Sequence, residues 1–259
     1  MRKKNFVVLF AALLAVLGFS SCLNDDNGNR ETVMLLKSSQ TYAGAGFEFK
    51  DVSGCRYVPT APINPTEYTK FAYVHFNYNQ DDVHQGMQAI NIELLDEPLF
   101  VHEGYYVPAV KDEAMKHNTL LSLRSAGIWK DKFDECLFLE LACKVKKGTT
   151  TQTIKAEEQN HTFTLYLDPA KSDYKEDLNL VMVYEVHTDV EDSKLSDEYT
   201  VDYITSRFFD ISEFVGFYQS NNDGKKPSKI NVRFAKSGAA SVVGENTTTE
   251  VVSSAYPQE

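Results

Sequence analysis

The chain has 259 residues, of which 42% are hydrophobic and 12% aromatic, so it can bury a core and is not of the disordered class. Its formal net charge is −11 at pH 7, and its first 21 residues carry only basic charges, so the remainder is more acidic still. Such a chain repels phosphate backbones, which argues against nucleic acid as a partner. The length suits two domains of about 100 residues each.

Residues 1–21 are predicted to be a secretory signal peptide. Basic residues at positions 2–4 precede an apolar run over 6–17 that is too short to span a bilayer. The run ends in Phe-Ser-Ser-Cys at 19–22, which resembles the lipobox of bacterial lipoproteins, with phenylalanine where leucine is more usual. The resemblance implies cleavage before Cys22 and a diacylglycerol on its sulfur, so that two or three acyl chains hold the protein on a membrane. The alternative is an ordinary secretory signal followed by a chance cysteine.

Residues 22–30 are predicted to be a lipidated tether. Asp25 and Asp26 follow the lipid cysteine closely and resemble the export signal that sends Bacteroidetes-type lipoproteins to the outer face of the outer membrane. The alternative is that the acidic pair only solvates the tether. On the first interpretation the protein is lipid-anchored in the outer membrane and faces the cell exterior.

The rest of the chain is predicted to form strands almost throughout. Apolar and polar residues alternate in four stretches, 70–79, 136–146, 161–167 and 229–234. A fifth stretch, 178–186, is apolar on both sides, which is typical of a central strand covered on both faces. The only helix predicted is a short one near Lys111 to Asn118. The pattern indicates an all-β fold made of sandwiches or barrels.

A domain boundary is predicted between about Val101 and Thr119, where glycine, proline and charged residues interrupt the strand pattern. The first domain then covers 31–103 and the second 104–235. The small, polar residues of 236–259 predict a tail that is either a frayed end or a loosely attached extra strand.

The cysteines and histidines predict neither a cofactor nor a metal site. Lipidation of Cys22 leaves Cys55, Cys136 and Cys143, an odd number, so at least one thiol should be free. Cys136 and Cys143 cannot pair with each other on one unbroken strand, because seven residues at about 3.3 Å each exceed the span of a disulfide. The sequence has no C-x-x-C motif, its histidines lack H-E-x-x-H spacing, and the EF-hand pattern is missing.

Several stretches together resemble the NigD-like lipoprotein family. In the first half they are the lipid cysteine with its two aspartates, FEFKDVSGCRYVP, KFAYVHFNYN and AINIEL; in the second half they are AGIWKDKFDECLFLEL, RFFDIS and KINVRF. Four residues resemble the aspartate-glycine hairpin of the family and the strand end after it: Asp51, Gly54, Tyr57 and Pro59. Val52 and Ser53 stand between the aspartate and the glycine here, so the turn should be longer.

The resemblance implies a small OB-like β-barrel followed by an immunoglobulin-like β-sandwich. It supplies no catalytic residues, and the bacteriocin-linked origin of the family name points toward immunity as one form of binding.

The candidate ligand-binding residues are Phe71, Tyr73 and His75. If the alternate residues of this strand fill the core, these three project outward from the barrel, where OB-like folds often hold oligosaccharides or peptides. Aromatic rings also stack well on sugars and on apolar side chains. The alternative is that the neighbouring domain covers this face.

The sequence therefore predicts a non-enzymatic lipoprotein on the outer membrane that displays a binding or protective module for a glycan or a protein. The rival hypothesis is a glycan-processing enzyme at the cell surface that uses an unrecognised pair of carboxylates. Such a pair is close in space and need not be close in sequence, so the sequence alone does not exclude it.

Overall fold

The structure is a computed structural model that describes residues 28–40, 46–63, 68–84, 86–110, 118–168, 177–237 and 247–258. The predicted lipidation residue Cys22, the predicted export residues Asp25 and Asp26 and, apart from Asn118, the predicted helix near 111–118 lie outside the described residues. The chain divides into two compact units, Met1–His102 and Glu103–Glu259. Within the described part, no helix has both the length and the apolar character needed to cross a membrane.

Five strands of the first unit close into a small barrel: β1 (Asn29–Gln40), β2 (Phe47–Lys50), β3 (Arg56–Pro59), β4 (Phe71–Asn79) and β5 (Ala89–Leu94). Their order is β1-β2-β3-β5-β4, and β4 pairs back with β1 to complete the circle. The pairs are antiparallel except for β3 with β5. A sixth strand, β6 (Leu99–Glu103), lies beside β4.

One face of each barrel strand fills the core. Ala72, Val74 and Phe76 of β4 are buried there together with Leu36 of β1 and Ile92 of β5. The alternation in 70–79 predicted this inward face, because successive side chains of a strand point to opposite sides.

The turn between β2 and β3 contains Val52 and Ser53 and is fixed by the side chain of Asp51. Asp51 Oδ1 accepts hydrogen bonds from the backbone N–H groups of Ser53 and Cys55, at 2.9 and 3.0 Å. Gly54 has a φ of 88°, a conformation that a residue without Cβ adopts freely.

The second unit is a β-sandwich. One layer contains β8 (Ser122–Lys130), β9 (Glu135–Lys146) and β12 (Tyr199–Asp210), in the order β12-β9-β8. The other contains β7 (Tyr105–Val110), β10 (His161–Leu167), β11 (Leu178–Val186), β13 (Lys229–Ser237) and β14 (Thr247–Ala255), in the order β14-β13-β11-β10-β7. Leu139 and Leu141 pack against Leu165 and Leu180 between the layers. The prediction of an all-β chain with a barrel followed by a sandwich is confirmed.

Among the described residues of this unit, three short α-helices connect the strands: α1 (Ile154–Glu158), α2 (Leu195–Glu198) and α3 (Ser212–Ser220). The prediction that the helix near 111–118 is the only one is therefore wrong, whereas its position, apart from Asn118, lies outside the described residues. In α3 the buried residues Phe214, Val215 and Tyr218 follow helical spacing, but this signal is short and directly follows a long strand.

Strand β14 lies in the polar tail 236–259, for which the sequence left open a frayed end or a loosely attached extra strand, and the extra strand is the alternative that forms. It pairs antiparallel with β13 at nine positions, from Lys229↔Ala255 to Ser237↔Thr247. Tyr256, which follows it, is only 3% exposed and belongs to the sandwich core. The second unit thus extends well beyond residue 235, because threonine and valine favour a strand even where few large apolar residues mark it.

Candidate functional site

Two of the three residues of the predicted ligand-binding face are buried. Phe71 is 0% and Tyr73 6% exposed, which corrects the prediction that both rings project into solvent. The register places Phe71 opposite Val101 of β6 and Tyr73 opposite Leu99, so apolar neighbours on β6 flank both rings. A ligand in solution has no free ring face to stack on here, and only His75 remains partly accessible.

His75 is held between two carboxylates from distant parts of the chain. Its Nδ1 lies 2.6 Å from Asp96 Oδ2 and its Nε2 lies 2.8 Å from Glu31 Oε1. The imidazole is 28% exposed, whereas the Glu31 and Asp96 side chains are 50% and 72% exposed. We call these three residues the His75 cluster.

The barrel topology brings the His75 cluster together. His75 pairs with Val33 across β1 and β4, which places Glu31, two residues earlier in β1, on the same face as His75. The loop after β5 is fixed at this point because the backbone N–H of Leu95 donates to the carbonyl of His75 at 3.0 Å. Asp96 follows Leu95 directly and so reaches the other side of the ring.

The geometry of the His75 cluster favours a protonated imidazole. A neutral imidazole has one N–H donor and one bare nitrogen, so it can donate to only one of two carboxylates, whereas imidazolium donates to both. Burial lowers the pKa of His75, but the hydrogen bonds and charges of Asp96 and Glu31 together outweigh burial and raise it above its ordinary value. The cluster therefore favours the imidazolium form of His75, which lies between two carboxylates.

A second polar cluster lies inside the sandwich. His161 at the start of β10 contacts the Tyr184 hydroxyl through Nδ1 at 2.7 Å and Glu157 Oε1 through Nε2 at 3.3 Å. The Tyr184 hydroxyl also hydrogen-bonds the Cys143 thiol. We call Cys143, Tyr184, His161 and Glu157 the buried chain.

The chemistry of the buried chain is suppressed by its surroundings. Burial raises the pKa of the Cys143 thiol to about 12, so the thiolate, which is the nucleophilic form, is scarce at neutral pH. Burial also lowers the pKa of His161, although Glu157 acts in the opposite direction. All four side chains are buried or nearly so, and a substrate in solution does not reach them.

Helix α1 holds the buried chain in place through two consecutive glutamates. Glu157 contacts His161, and Glu158 Oε1 accepts a hydrogen bond from Arg207 Nη2 at 2.5 Å. Burial raises the pKa of Glu158, but the charge and hydrogen bonds of Arg207 outweigh it and lower the pKa below the ordinary value. Both carboxylates are thus committed to internal partners, and α1 is fixed to the sandwich.

The remaining predicted features involve the thiols and metals. None of Cys55, Cys136 and Cys143 forms a disulfide with another described cysteine, which confirms the prediction that not all three pair. Among the described residues, no group of three or more histidine, cysteine, aspartate or glutamate side chains could hold a metal ion.

The partners of His75 and the residues of the buried chain were not predicted from the sequence. Glu31 and Asp96 lie 44 and 21 residues from His75 in the chain, and no local pattern connects them to it. Glu157 and His161 carried a weak signal, since they are four residues apart, but that spacing spans the end of a helix and the start of a strand.

Comparison with solved structures finds several proteins similar to this chain. A protein from Bacteroides fragilis, provisionally named a lipoprotein, matches 88% of this chain and 98% of its own with a TM-score of 0.65 and 20% identity. A protein of unknown function from Bacteroides vulgatus matches 88% of this chain and 92% of its own with a TM-score of 0.52 and 12% identity. A NigD-like immunity protein from Bacteroides caccae matches 85% of this chain and 91% of its own, with a TM-score of 0.44 and 13% identity.

The structural neighbours thus include a protein provisionally named a lipoprotein. The TM-scores of the Bacteroides fragilis and Bacteroides vulgatus proteins show a fold shared over 88% of this chain, and at identities of 20% and 12% they show the fold alone. No protein-family model and no curated protein matches the chain.

Proposed function

We propose that this chain is a lipid-anchored, non-catalytic module that is displayed on the outer membrane and binds or protects there. The anchor part rests on the sequence around Cys22 and gains support from the provisional name of the Bacteroides fragilis neighbour. Asp25 and Asp26 support display on the cell exterior. Bacteriocin immunity is a special case of this function, suggested by the name of the Bacteroides caccae neighbour.

The non-catalytic part of the proposal rests on the burial of the four side chains of the buried chain. Cysteine beside histidine and a carboxylate is the composition of a nucleophile with its base, and such a set acts only where a substrate contacts it. Here Cys143 is fully buried and its thiol is held protonated, while His161 lies under α1. The set therefore stabilises the sandwich and has no access to a substrate.

The rival hypothesis of a glycan-processing enzyme requires two carboxylates with space between them for a sugar or a water. In the His75 cluster the imidazole ring fills the space between Glu31 and Asp96. In α1, Glu157 and Glu158 are directed into the sandwich and paired with His161 and Arg207. Neither pair of carboxylates offers the open geometry that hydrolysis needs.

Anchoring is tested by fractionating cells that express the full chain or its Cys22→Ala variant. We expect the full chain in the membrane fraction after a salt wash, and the variant in the soluble fraction, because the acyl chains are its only proposed attachment. Cys55→Ala is the matched control and should remain with the membranes. A Cys22→Ala variant that stays in the salt-washed membranes would contradict the proposal.

Binding is separated from catalysis by incubating the purified protein with a panel of surface glycans and secreted proteins. We expect retention of a ligand on the immobilised protein with no change in the mass of that ligand. A cleaved or modified product that accumulates in proportion to the protein would instead establish the enzyme hypothesis.

A further inference from the structure

The His75 cluster joins three separate elements of the barrel at one point. Glu31 belongs to the first residues of β1, His75 to the middle of β4, and Asp96 to the loop after β5. The ladder of β1 with β4 ends close by, at Asn29↔Asn79, and the backbone N–H of Gln80 donates to the carbonyl of Gly28 just beyond it. Strand ends open more readily than strand centres, so a side-chain contact here has a large influence on whether the end stays closed.

Loss of the proton changes this contact from attractive to partly repulsive. Neutral imidazole keeps one N–H for one carboxylate and directs a lone pair at the other, at a distance where two acceptors repel. One of the two bridges must then lengthen. Asp96 is anchored through the neighbouring Leu95 N–H, whereas Glu31 lies near the end of its strand, so the Glu31 bridge is the weaker one.

The other charged groups around His75 are also acidic. On its own face, Glu93 of β5 is paired with Asn77, two residues from His75 on β4, and is exposed. Glu97 follows Asp96 in the loop and is exposed as well. The charges that raise the pKa of His75 are those of Asp96 and Glu31.

We propose that His75 is a proton-controlled contact that closes the start of β1 onto the barrel at acidic to neutral pH and releases it as the pH rises. Residues 29–33 are the part of β1 that responds. The inference does not require a ligand, and it assigns to His75 a role other than the ligand contact that the sequence suggested.

The start of β1 is also where the lipidated tether enters the barrel, if the proposed anchor at Cys22 is correct. Five released residues at about 3.3 Å each would add roughly 15 Å to the reach between the membrane and the barrel. In that case alkaline conditions raise the fraction of molecules with the longer connection, and acidic conditions lower it. This consequence rests on the proposed function, whereas the contact itself does not.

The contribution of the contact to stability has a definite sign. A histidine whose pKa is raised in the folded state stabilises that state fully below its unfolded pKa of about 6.5 and loses this contribution as the pH rises through the folded value. The folded pKa of His75 lies above the ordinary value, so the loss begins near neutral pH and continues above it.

The test is hydrogen exchange of the backbone amides, measured on the full chain from about pH 6 to about pH 9 and expressed as protection factors to remove the intrinsic pH effect. We expect the protection of residues 29–33 to fall on the order of tenfold across this range, the size of one charge-assisted hydrogen bond. The rest of β1 should keep its protection. Imidazole NMR signals of His75 should show both nitrogens protonated at the lower pH.

Three variants make the result specific. His75→Gln should give low protection of 29–33 at every pH, and Asp96→Asn, which removes one charge but keeps an acceptor, should move the change to lower pH. His84→Gln removes an exposed histidine of the same unit and should leave the wild-type behaviour intact. Constant protection of 29–33 while His75 titrates, or a His75 that is neutral at pH 6, would overturn the proposal. Neither outcome depends on lipidation, so the proposed anchor stands or falls separately.

Discussion

Replacement of Tyr73 by alanine distinguishes the packed face seen in the structure from the exposed face that the alternation predicted. Only 6% of Tyr73 is exposed. An aromatic side chain buries about 150 Å² or more, which at roughly 25 cal/mol per Å² corresponds to about 4 kcal/mol. Truncation of buried aromatic residues to alanine costs about 3–5 kcal/mol. We therefore expect Tyr73→Ala to lower the free energy of unfolding of the barrel by that amount.

The matched control is Tyr105→Ala, because this tyrosine is 66% exposed on β7. Exposed substitutions of this kind change stability by less than about 0.5 kcal/mol. The assay is urea denaturation, in which a lower midpoint with an unchanged slope reports lost stability. A Tyr73→Ala variant that loses less than about 1 kcal/mol would refute the reasoning, since the ring would then be free to contact a ligand.

Three further predictions follow from particular residues of the second unit. Gly104→Ala should lower the free energy of unfolding by about 1–3 kcal/mol, measured by urea denaturation, because a Cβ there meets the Phe209 ring. Gly216→Ala in α3 meets open space and should be neutral or mildly stabilising. Deleting residues 247–259 should abolish the cooperative unfolding transition of the sandwich seen by circular dichroism, since it removes β14 and uncovers the core; a chain that still unfolds cooperatively would contradict this. The pKa of His161 is lowered in the folded state, so below about pH 6.5 the unfolded state binds more protons and the protein should become less stable as the pH decreases. His161→Gln should flatten that part of the pH profile of thermal denaturation.

Much of the fold followed from the sequence because strand alternation is a local property. The pattern in 70–79 identified Ala72, Val74 and Phe76 as core residues, and the doubly apolar 178–186 became the central strand β11. Alternation indicates that a strand has two faces, but it does not predict which neighbours cover the second face. The burial of Tyr73 therefore could not be predicted from the alternation.

The His75 cluster could not be predicted because it depends on which strands are neighbours. The pairing of β1 with β4 that closes the barrel brings Glu31 to His75, and the loop after β5 brings Asp96. A strand order of this kind is set by the packing of the whole unit. The sequence identified His75 itself but assigned it to a ligand, since nothing local marks a histidine that is held by two carboxylates.

The C-terminal strand shows a different limit. Residues 247–255 contain mostly threonine, serine and valine, and this composition left open either a frayed end or a loosely attached extra strand over 236–259. These residues form a strand beside β13, with which they make nine pairs, and Tyr256 after them lies in the core. Edge strands need few large apolar residues because one of their sides has no strand to pack against, so composition underestimates them.

The most direct test of the central claim, that this chain is a lipid-anchored module, is the mass spectrum of the N-terminal peptide of the protein purified from outer membranes. The account predicts a peptide that begins at Cys22 and carries a diacylglycerol on the sulfur, with or without a further acyl chain on the amino group. A peptide in which Cys22 has a free thiol, or which begins at another residue after an ordinary signal cleavage, would contradict it.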